Sequence, residues 1–518
     1  MPSTADVVVA GSGAAGLTAA LAAAVAGARV VLAERGERLG GTTALSGGRV
    51  WVPGNHLQEG DTPAAAATYL DCIFSDQYRH MTETFLRTAP KMVLFVERHS
   101  AHRFAACPRY PDYHSSRPGA TAGGRALDAE PIDTGKLTPL AADILVPPGY
   151  LPMSFAEWER WRYPDRFDWE LLRDRERRGI RTGGVALVAG LLDGAVKAGV
   201  QVLTGARLTA VGPGSATLER AGEAATIGAP AVILATGGFD WDHQLRARYQ
   251  PRAQRASGAP PTNTGDGLRI AECAGGRSDN MGEGWWMPMM AIPGERLLGE
   301  QFHRSLIRER GLPRQIMVNA AGRRFTGEAQ PYNEIGKALH RQDGPVHLIF
   351  DEAYRVRYSM PGIPRDRPVP GWVACGGSLA ALAGRIGVPP AALADTVRRW
   401  NDACAHGADP DFGRGEGAYE RFCGDPAVRP NPSLGPIEQA PYYAVEILAG
   451  TIGTKGGPVT DADGAVLDRA GVPVAGLYAA GNAAAFWTAD GYPGPGATLA
   501  VGMTMGYRAG MHAGRTVR

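Results

Sequence analysis

The stretch that decides the fold is DVVVAGSGAAGLTAALAAAVAGARVVLAERG, residues 6–36. It reads strand, glycine-rich turn, helix, strand. Val7 to Ala10 is a short β-branched run of the kind that forms a buried parallel strand. Gly11, Gly13 and Gly16 make GxGxxG, with Ser12, Ala14 and Ala15 between them. The first glycine permits the turn, the second lets backbone approach a pyrophosphate, and the third lets helix and strand pack closely. The helix N-terminus then offers unspent N–H groups to phosphate oxygens. Glu34 ends the second strand, where a carboxylate accepts from ribose hydroxyls, and Arg35 follows it. The whole unit predicts a dinucleotide site on an α/β, Rossmann-like domain.

Further along, RLGGTTALSGG (38–48) is a second turn rich in small and hydroxyl residues, supplying Gly41, Thr42, Thr43, Ser46, Gly47 and Gly48 as donors. AVILATGGFD (231–240) is a buried strand ending in Ala235, Thr236 and Gly237, and GLYAAGN (476–482) is a short strand ending in Gly481 and Asn482. These pieces, in this order, resemble the FAD-binding domain of the fumarate reductase/succinate dehydrogenase flavoprotein superfamily. The resemblance implies FAD, with Arg207, Asp266 and Leu499 as further contacts. Covalent flavin in that superfamily uses a histidine of the second turn. None occurs between Glu34 and Asn55, so FAD is expected to be noncovalent. The flavin pieces lie at both ends of the chain. The expected FAD-binding domain is therefore discontinuous, residues 1–278 and 441–518, around an inserted α+β substrate domain, 279–440. Within the insert, PPAALADTVRRWNDACAHG (389–407) predicts an amphipathic helix that buries Leu393, Val397, Trp400 and Ala403.

Composition narrows the function. A chain of 518 residues exceeds one ordinary domain. The net charge of +2 gives no electrostatic case for nucleic acid. Six dispersed cysteines without a CxxC pair point to neither a zinc site nor a redox disulfide and fit a cytoplasmic protein. The opening residues carry no basic leader, and no long uncharged apolar run predicts an integral membrane segment. The charged, aromatic segment 154–183 reads as a solvated helix pair with its tryptophans turned inward, or as an entrance lid.

Near the C-terminus, GYPGPG (491–496) sets Tyr492 in a proline-stiffened turn before a helix-like run. With GTKGG (453–457), YPDYH (110–114), NAAGRRFTGEAQPYNE (319–334) and GGTTALSGGRVWVPGN (40–55), it resembles the bacterial 3-ketosteroid Δ1-dehydrogenases, and the likeness runs from end to end. The resemblance implies that Tyr332 is the base and Tyr113 its helper, that Tyr492 and the Gly496 N–H hold the ketone oxygen, and that hydride goes to flavin N5. The partners it implies are a small apolar ketone and an external, quinone-like electron acceptor. The chemistry is coherent. Removing an α-proton places negative charge on the ketone oxygen, which needs fixed donors. A phenol of ordinary pKa near 10 needs a second phenol donating to its anion. Tyr478 and Tyr507 are read as structural. These residues do not distinguish a steroid from a smaller ring such as a cyclohexanone, and bulky Phe486 and Trp487 are expected to narrow the pocket. A fumarate-type enoate reductase is the alternative reaction and a non-catalytic flavin carrier the alternative class. TIGTKGG (451–457) lacks the histidine that such reductases carry there.

Overall fold

The computed structural model describes residues 1–251, 254–358 and 360–517. The first strand, Val7–Ala10, pairs in parallel with Val30–Ala33 on one side and Ala231–Leu234 on the other. All three are buried along their whole length, which is why they read as uninterrupted apolar runs. Gln201–Leu203 and Pro473–Ala479 extend this sheet, and Ala465–Leu467 closes one edge in antiparallel register. Strands from residues 7–33, 201–203, 231–234 and 465–479 thus share one sheet.

The helix Ala14–Val25 lies against the C-terminal helix Ala497–Thr516. The contact is made through small residues. A Cβ on Gly506 would lie 2.3 Å from the Ala15 carbonyl oxygen, and one on Gly510 would lie 2.2 Å from that of Ala19. No larger side chain fits at these positions without moving a helix.

A second, mixed sheet is built on the long strand Tyr442–Thr454, which pairs with Gly284–Leu297 and Val346–Asp351 and also receives Ala256–Ser257 and Ala374–Gly376. The expected division at residue 441 falls just before this strand, which pairs with chain from both sides of the expected boundary at residue 279. The helix Pro390–His406 buries the four residues expected of it and covers this sheet together with Leu379–Ile386. Segment 154–183 forms the short helices Phe155–Trp161 and Trp169–Arg177. Phe155 and Trp161 are buried and Trp169 is exposed, so only part of the aromatic set turns inward.

A buried charge network ties the small sheet of Val50–Trp51, Phe104–Ala106 and Ala126–Ala129 to the loop that carries Tyr113. The Arg125 guanidinium donates to Asp61 at 2.7 Å and to Asp112 at 2.8 Å, and Asp112 also accepts from Trp51 Nε1 at 2.7 Å. All three ionised side chains are almost fully buried. Arg125→Met should therefore lower stability by about 3–5 kcal/mol, because two carboxylates lose their counter-ion inside the protein. Thermal or urea unfolding of the purified flavoprotein checks this, with an unchanged midpoint as the contrary result.

Candidate active site

One deep cavity opens between the N-termini of the helices Ala14–Val25 and Ala497–Thr516. Neither helix has a side-chain cap, since the capping positions are Gly13 and Gly496. Their terminal N–H groups and the positive ends of their dipoles face the same space. Every cofactor candidate read from the sequence except Gly16 lines it, as do Tyr113, Tyr332, Tyr492 and Gly496. Gly16 stands beneath the turn. A Cβ there would lie 2.0 Å from the Gly11 carbonyl oxygen, so this glycine serves close packing and not ligand contact. Gly11 has φ +109°, and a Cβ on it would lie 2.2 Å from the Ala235 carbonyl oxygen.

The cradle fits FAD. Glu34 is buried and accepts from the Ser12 N–H at 2.9 Å, the Ser12 hydroxyl at 2.6 Å and the Gly36 N–H at 2.8 Å. It therefore fixes the glycine-rich turn while lining the cavity. Thr43 Oγ1 accepts the Ala14 N–H at 2.9 Å and joins the second turn to the helix start. At this end of the cavity Arg207 and Arg35 both pair with Asp266, at 2.8 and 3.2 Å. Two basic side chains are thus held by one acid beside the residues expected around the nucleoside.

The tyrosines gather at the other end. Tyr332 begins the helix Tyr332–His340 after Pro331, and Arg310 holds the preceding loop by donating to the carbonyls of Glu328 and Gln330 at 2.7 and 2.5 Å. The Tyr332 hydroxyl donates to that of Tyr492 at 2.7 Å, and Thr498 Oγ1 donates to the same Tyr492 oxygen at 3.0 Å. Tyr113 packs edge-on against both rings, with centroids 5.3 Å from Tyr332 and 5.2 Å from Tyr492. Its N–H donates to the Pro493 carbonyl at 3.0 Å, and the Tyr69 hydroxyl reaches that carbonyl at 2.5 Å. The YPGPG turn and the YPDYH loop are thereby fastened to each other. Tyr110 also lines the cavity and stacks on Phe155 and Phe422, both at 4.9 Å.

Burial pushes the Tyr332 phenol well above its ordinary pKa, and the neighbouring Tyr492 reinforces this. Tyr113, packed edge-on against it, acts in the opposite direction. Desolvation of a phenolate in so dry a site outweighs that help. Burial raises Tyr492 as well, which keeps it a proton donor, against the bonds from Thr498 and Tyr332. At Gly496 φ is +97°, and a Cβ would lie 2.4 Å from the Arg49 carbonyl oxygen. Only glycine fits this position.

Several supporting residues carried no sequence signal. Buried Lys455 donates to the carbonyls of Ala489 and Gly491 at 2.5 and 2.8 Å and sits 3.9 Å over the Trp285 ring, whose centroid lies 4.6 Å from that of Tyr492. Burial pulls its pKa down to about 7. It fixes the turn from which Tyr492 projects. Tyr419 packs on Tyr113 at 5.0 Å. Phe486 and Trp487, expected to narrow the pocket, lie elsewhere. Phe486 packs on Trp285, and Trp487 packs on Phe74 and Phe85, all in the core behind the cavity. Among the described residues no helix is long and apolar enough to cross a membrane, and no cluster of potential ligands is arranged for a metal.

The FAD binding domain family model matches residues 6–499. A 4-oxocyclohexanecarboxylate 2-dehydrogenase of Sinomonas cyclohexanicum is 40% identical over 98% of this chain and 92% of its own length. A 3-oxosteroid 1-dehydrogenase of Mycobacterium tuberculosis is 35% identical over 98% of each chain. The crystal structure of a 3-ketosteroid Δ1-dehydrogenase from Sterolibacterium denitrificans, in complex with 1,4-androstadiene-3,17-dione, superposes with a TM-score of 0.93 at 33% identity, over 99% of this chain and 100% of that one. The chain therefore belongs to the 3-ketosteroid Δ1-dehydrogenase family of FAD-dependent oxidoreductases.

Glu34→Ala should weaken FAD retention by about 10- to 100-fold, the effect of losing charge-assisted bonds that hold the phosphate turn. Flavin absorbance per mole of purified protein, titrated with added FAD, measures this. Full retention would show that the turn keeps its shape unaided.

Proposed function

We propose that this protein desaturates a cyclic ketone between its α and β carbons, with Tyr332 as base, Tyr113 as its helper, and Tyr492 with the Gly496 N–H holding the ketone oxygen. The observation that carries the reading is the hydrogen-bond polarity at Tyr492. Its oxygen already accepts from Tyr332 and Thr498, so its own O–H is left to donate into the cavity. Gly496 presents its N–H beside it from the uncapped helix start. Two donors then serve the position where an enolate oxygen gains charge, beside tyrosines that are themselves buried.

Noncovalently bound FAD supplies the acceptor for the hydride that leaves the β-carbon. The protein's own groups manage the proton. In the resting site Tyr332 gives its hydrogen to Tyr492. To act as base it must lose that proton, and Tyr113 then donates to the phenolate. Turnover closes through an external acceptor of quinone type. A steroid and a monocyclic ketone offer the same ketone and adjacent carbons to these groups. The relatives' names include both kinds of substrate, so the catalytic set defines the reaction and leaves ring number to the surrounding walls.

Tyr332→Phe should cut turnover by about 10²- to 10⁴-fold with FAD still bound, since only the proton acceptor is removed. Tyr492→Phe should cost about 10²- to 10³-fold and weaken ketone binding as well. Anaerobic flavin bleaching with a panel of cyclic ketones reads both. In the wild type, kcat/KM should climb with pH through neutrality and beyond. The base works only when deprotonated, and burial holds its proton to a higher pH than a free phenol. A plateau at neutral pH would exclude Tyr332 as the titrating base.

A further inference from the structure

Four arginines line the cavity: Arg35, Arg49, Arg207 and Arg304. Arg35 and Arg207 are paired with Asp266, and Arg304 is paired with Glu295 at 2.7 Å. Arg49 differs. Among the described residues no carboxylate lies within ion-pair distance of it, and its Nε is buried with no hydrogen-bond partner. The acid that acts on it, Asp128, does so across space, and its Oδ2 already accepts the Phe155 N–H at 2.7 Å. The other ionisable groups that face Arg49 are Tyr110, Tyr113 and Cys107. The guanidinium lies 4.5 Å over the Phe155 ring and 5.7 Å from the Tyr110 ring centre. It therefore lies over an aromatic wall with no carboxylate in contact to neutralise it. Burying a guanidinium without an anionic partner is costly, and the cost is offset when a ligand brings the anion.

We infer that Arg49 is the receptor for a carboxylate on the substrate ring, so that the ketone taken by this protein is a small, single-ring keto acid. The inference rests on the ketone-desaturase reading. Geometry limits the size of the ligand. The Arg49 carbonyl oxygen abuts Gly496, at 2.4 Å from where a Cβ would stand, and Gly496 is the proposed N–H donor to the ketone. The ketone oxygen and the carboxylate are therefore separated by no more than one arginine side chain. A carboxylated cyclohexanone spans such a gap, whereas a steroid carries its remaining rings past it. The nucleotide's phosphates do not compete for Arg49, since they belong to the Gly11–Ala15 turn, while Arg49 sits among the tyrosines. A planar guanidinium also suits a carboxylate because it can donate two parallel hydrogen bonds.

The test compares 4-oxocyclohexanecarboxylate with its methyl ester in the wild type, Arg49→Leu and Arg49→Lys. The wild type should favour the acid in kcat/KM by about 100-fold, the leucine variant should lose that preference, and the lysine variant should keep part of it. An acid-to-ester ratio near one in the wild type, or one that survives in Arg49→Leu, would overturn the inference. Should the leucine variant not fold, cyclohexanecarboxylate serves as a dead-end ligand of the wild type. It should perturb the flavin spectrum and inhibit competitively where cyclohexylmethanol does not, and equal effects of the two would count against Arg49. If the wild type oxidises no ketone and yet cyclohexanecarboxylate binds it and not Arg49→Leu, the desaturase reading fails and the carboxylate receptor stands.

Discussion

The close approach of the first and last helices is the constraint on which the site depends. Ala14–Val25 and Ala497–Thr516 are far apart in sequence, yet they touch backbone to backbone because glycine recurs every fourth residue at 502, 506, 510 and 514. A Cβ at Gly514 would still come within 2.9 Å of the Ala23 carbonyl oxygen, so the contact continues to the far end of both helices. This packing brings two glycine-capped N-termini to one cavity. Each end of the cavity therefore has its own set of unspent N–H groups and its own partial positive charge. In the proposed reading the phosphates at one end and the ketone oxygen at the other are both sites of negative charge. One structural device then serves both, and a single larger residue in the stripe would separate them.

The tyrosine cluster follows from the dryness that this packing creates. With Tyr113, Tyr332 and Tyr492 all buried, ionisation of any one is opposed by lost hydration. The same dryness that makes the donors effective against an enolate also suppresses the base at rest. In the proposed reading the hydrogen-bond network suits a division of labour. Tyr492 accepts twice and is kept as a donor, while Tyr332 gives its hydrogen to Tyr492 and has the Tyr113 ring edge-on beside it. Thr498, one turn into the helix, biases this division by occupying a Tyr492 lone pair.

Much of this was legible in the sequence because it is local. A βαβ unit with its glycines, a proline-bound turn before a helix and an amphipathic helix each announce themselves within about twenty residues. What escaped notice depends on chain that meets from afar. Tyr442–Thr454 reads as a strand of the flavin side, since nothing in its residues names Gly284–Leu297 as its neighbour. Phe486 and Trp487 read as pocket walls because they precede the signature turn, but their rings find partners at residues 74, 85 and 285. Lys455 lies in the GTKGG motif, whose residues give no sign of what its side chain meets. Its service to the carbonyls of Ala489 and Gly491 is set by tertiary folding. Arg49 directly follows Gly47 and Gly48, so its neighbourhood was marked while its lack of a counter-ion was not.

That last residue links recognition to chemistry through the backbone. Its carbonyl packs on Gly496, the Trp51 N–H two residues later donates to the Gly496 carbonyl at 3.3 Å, and the Trp51 indole is bonded to Asp112 beside Tyr113. The strand Val50–Trp51 therefore positions the ketone donor and the helper tyrosine while the residue before it carries the free guanidinium. In the proposed reading, the distance between ketone and carboxylate receptors is set within one segment of chain and not by the relative placement of two sheets. A ligand too long for the gap then loses one anchor or the other, and what it loses is either the charge pair at Arg49 or the enolate donors at Tyr492 and Gly496.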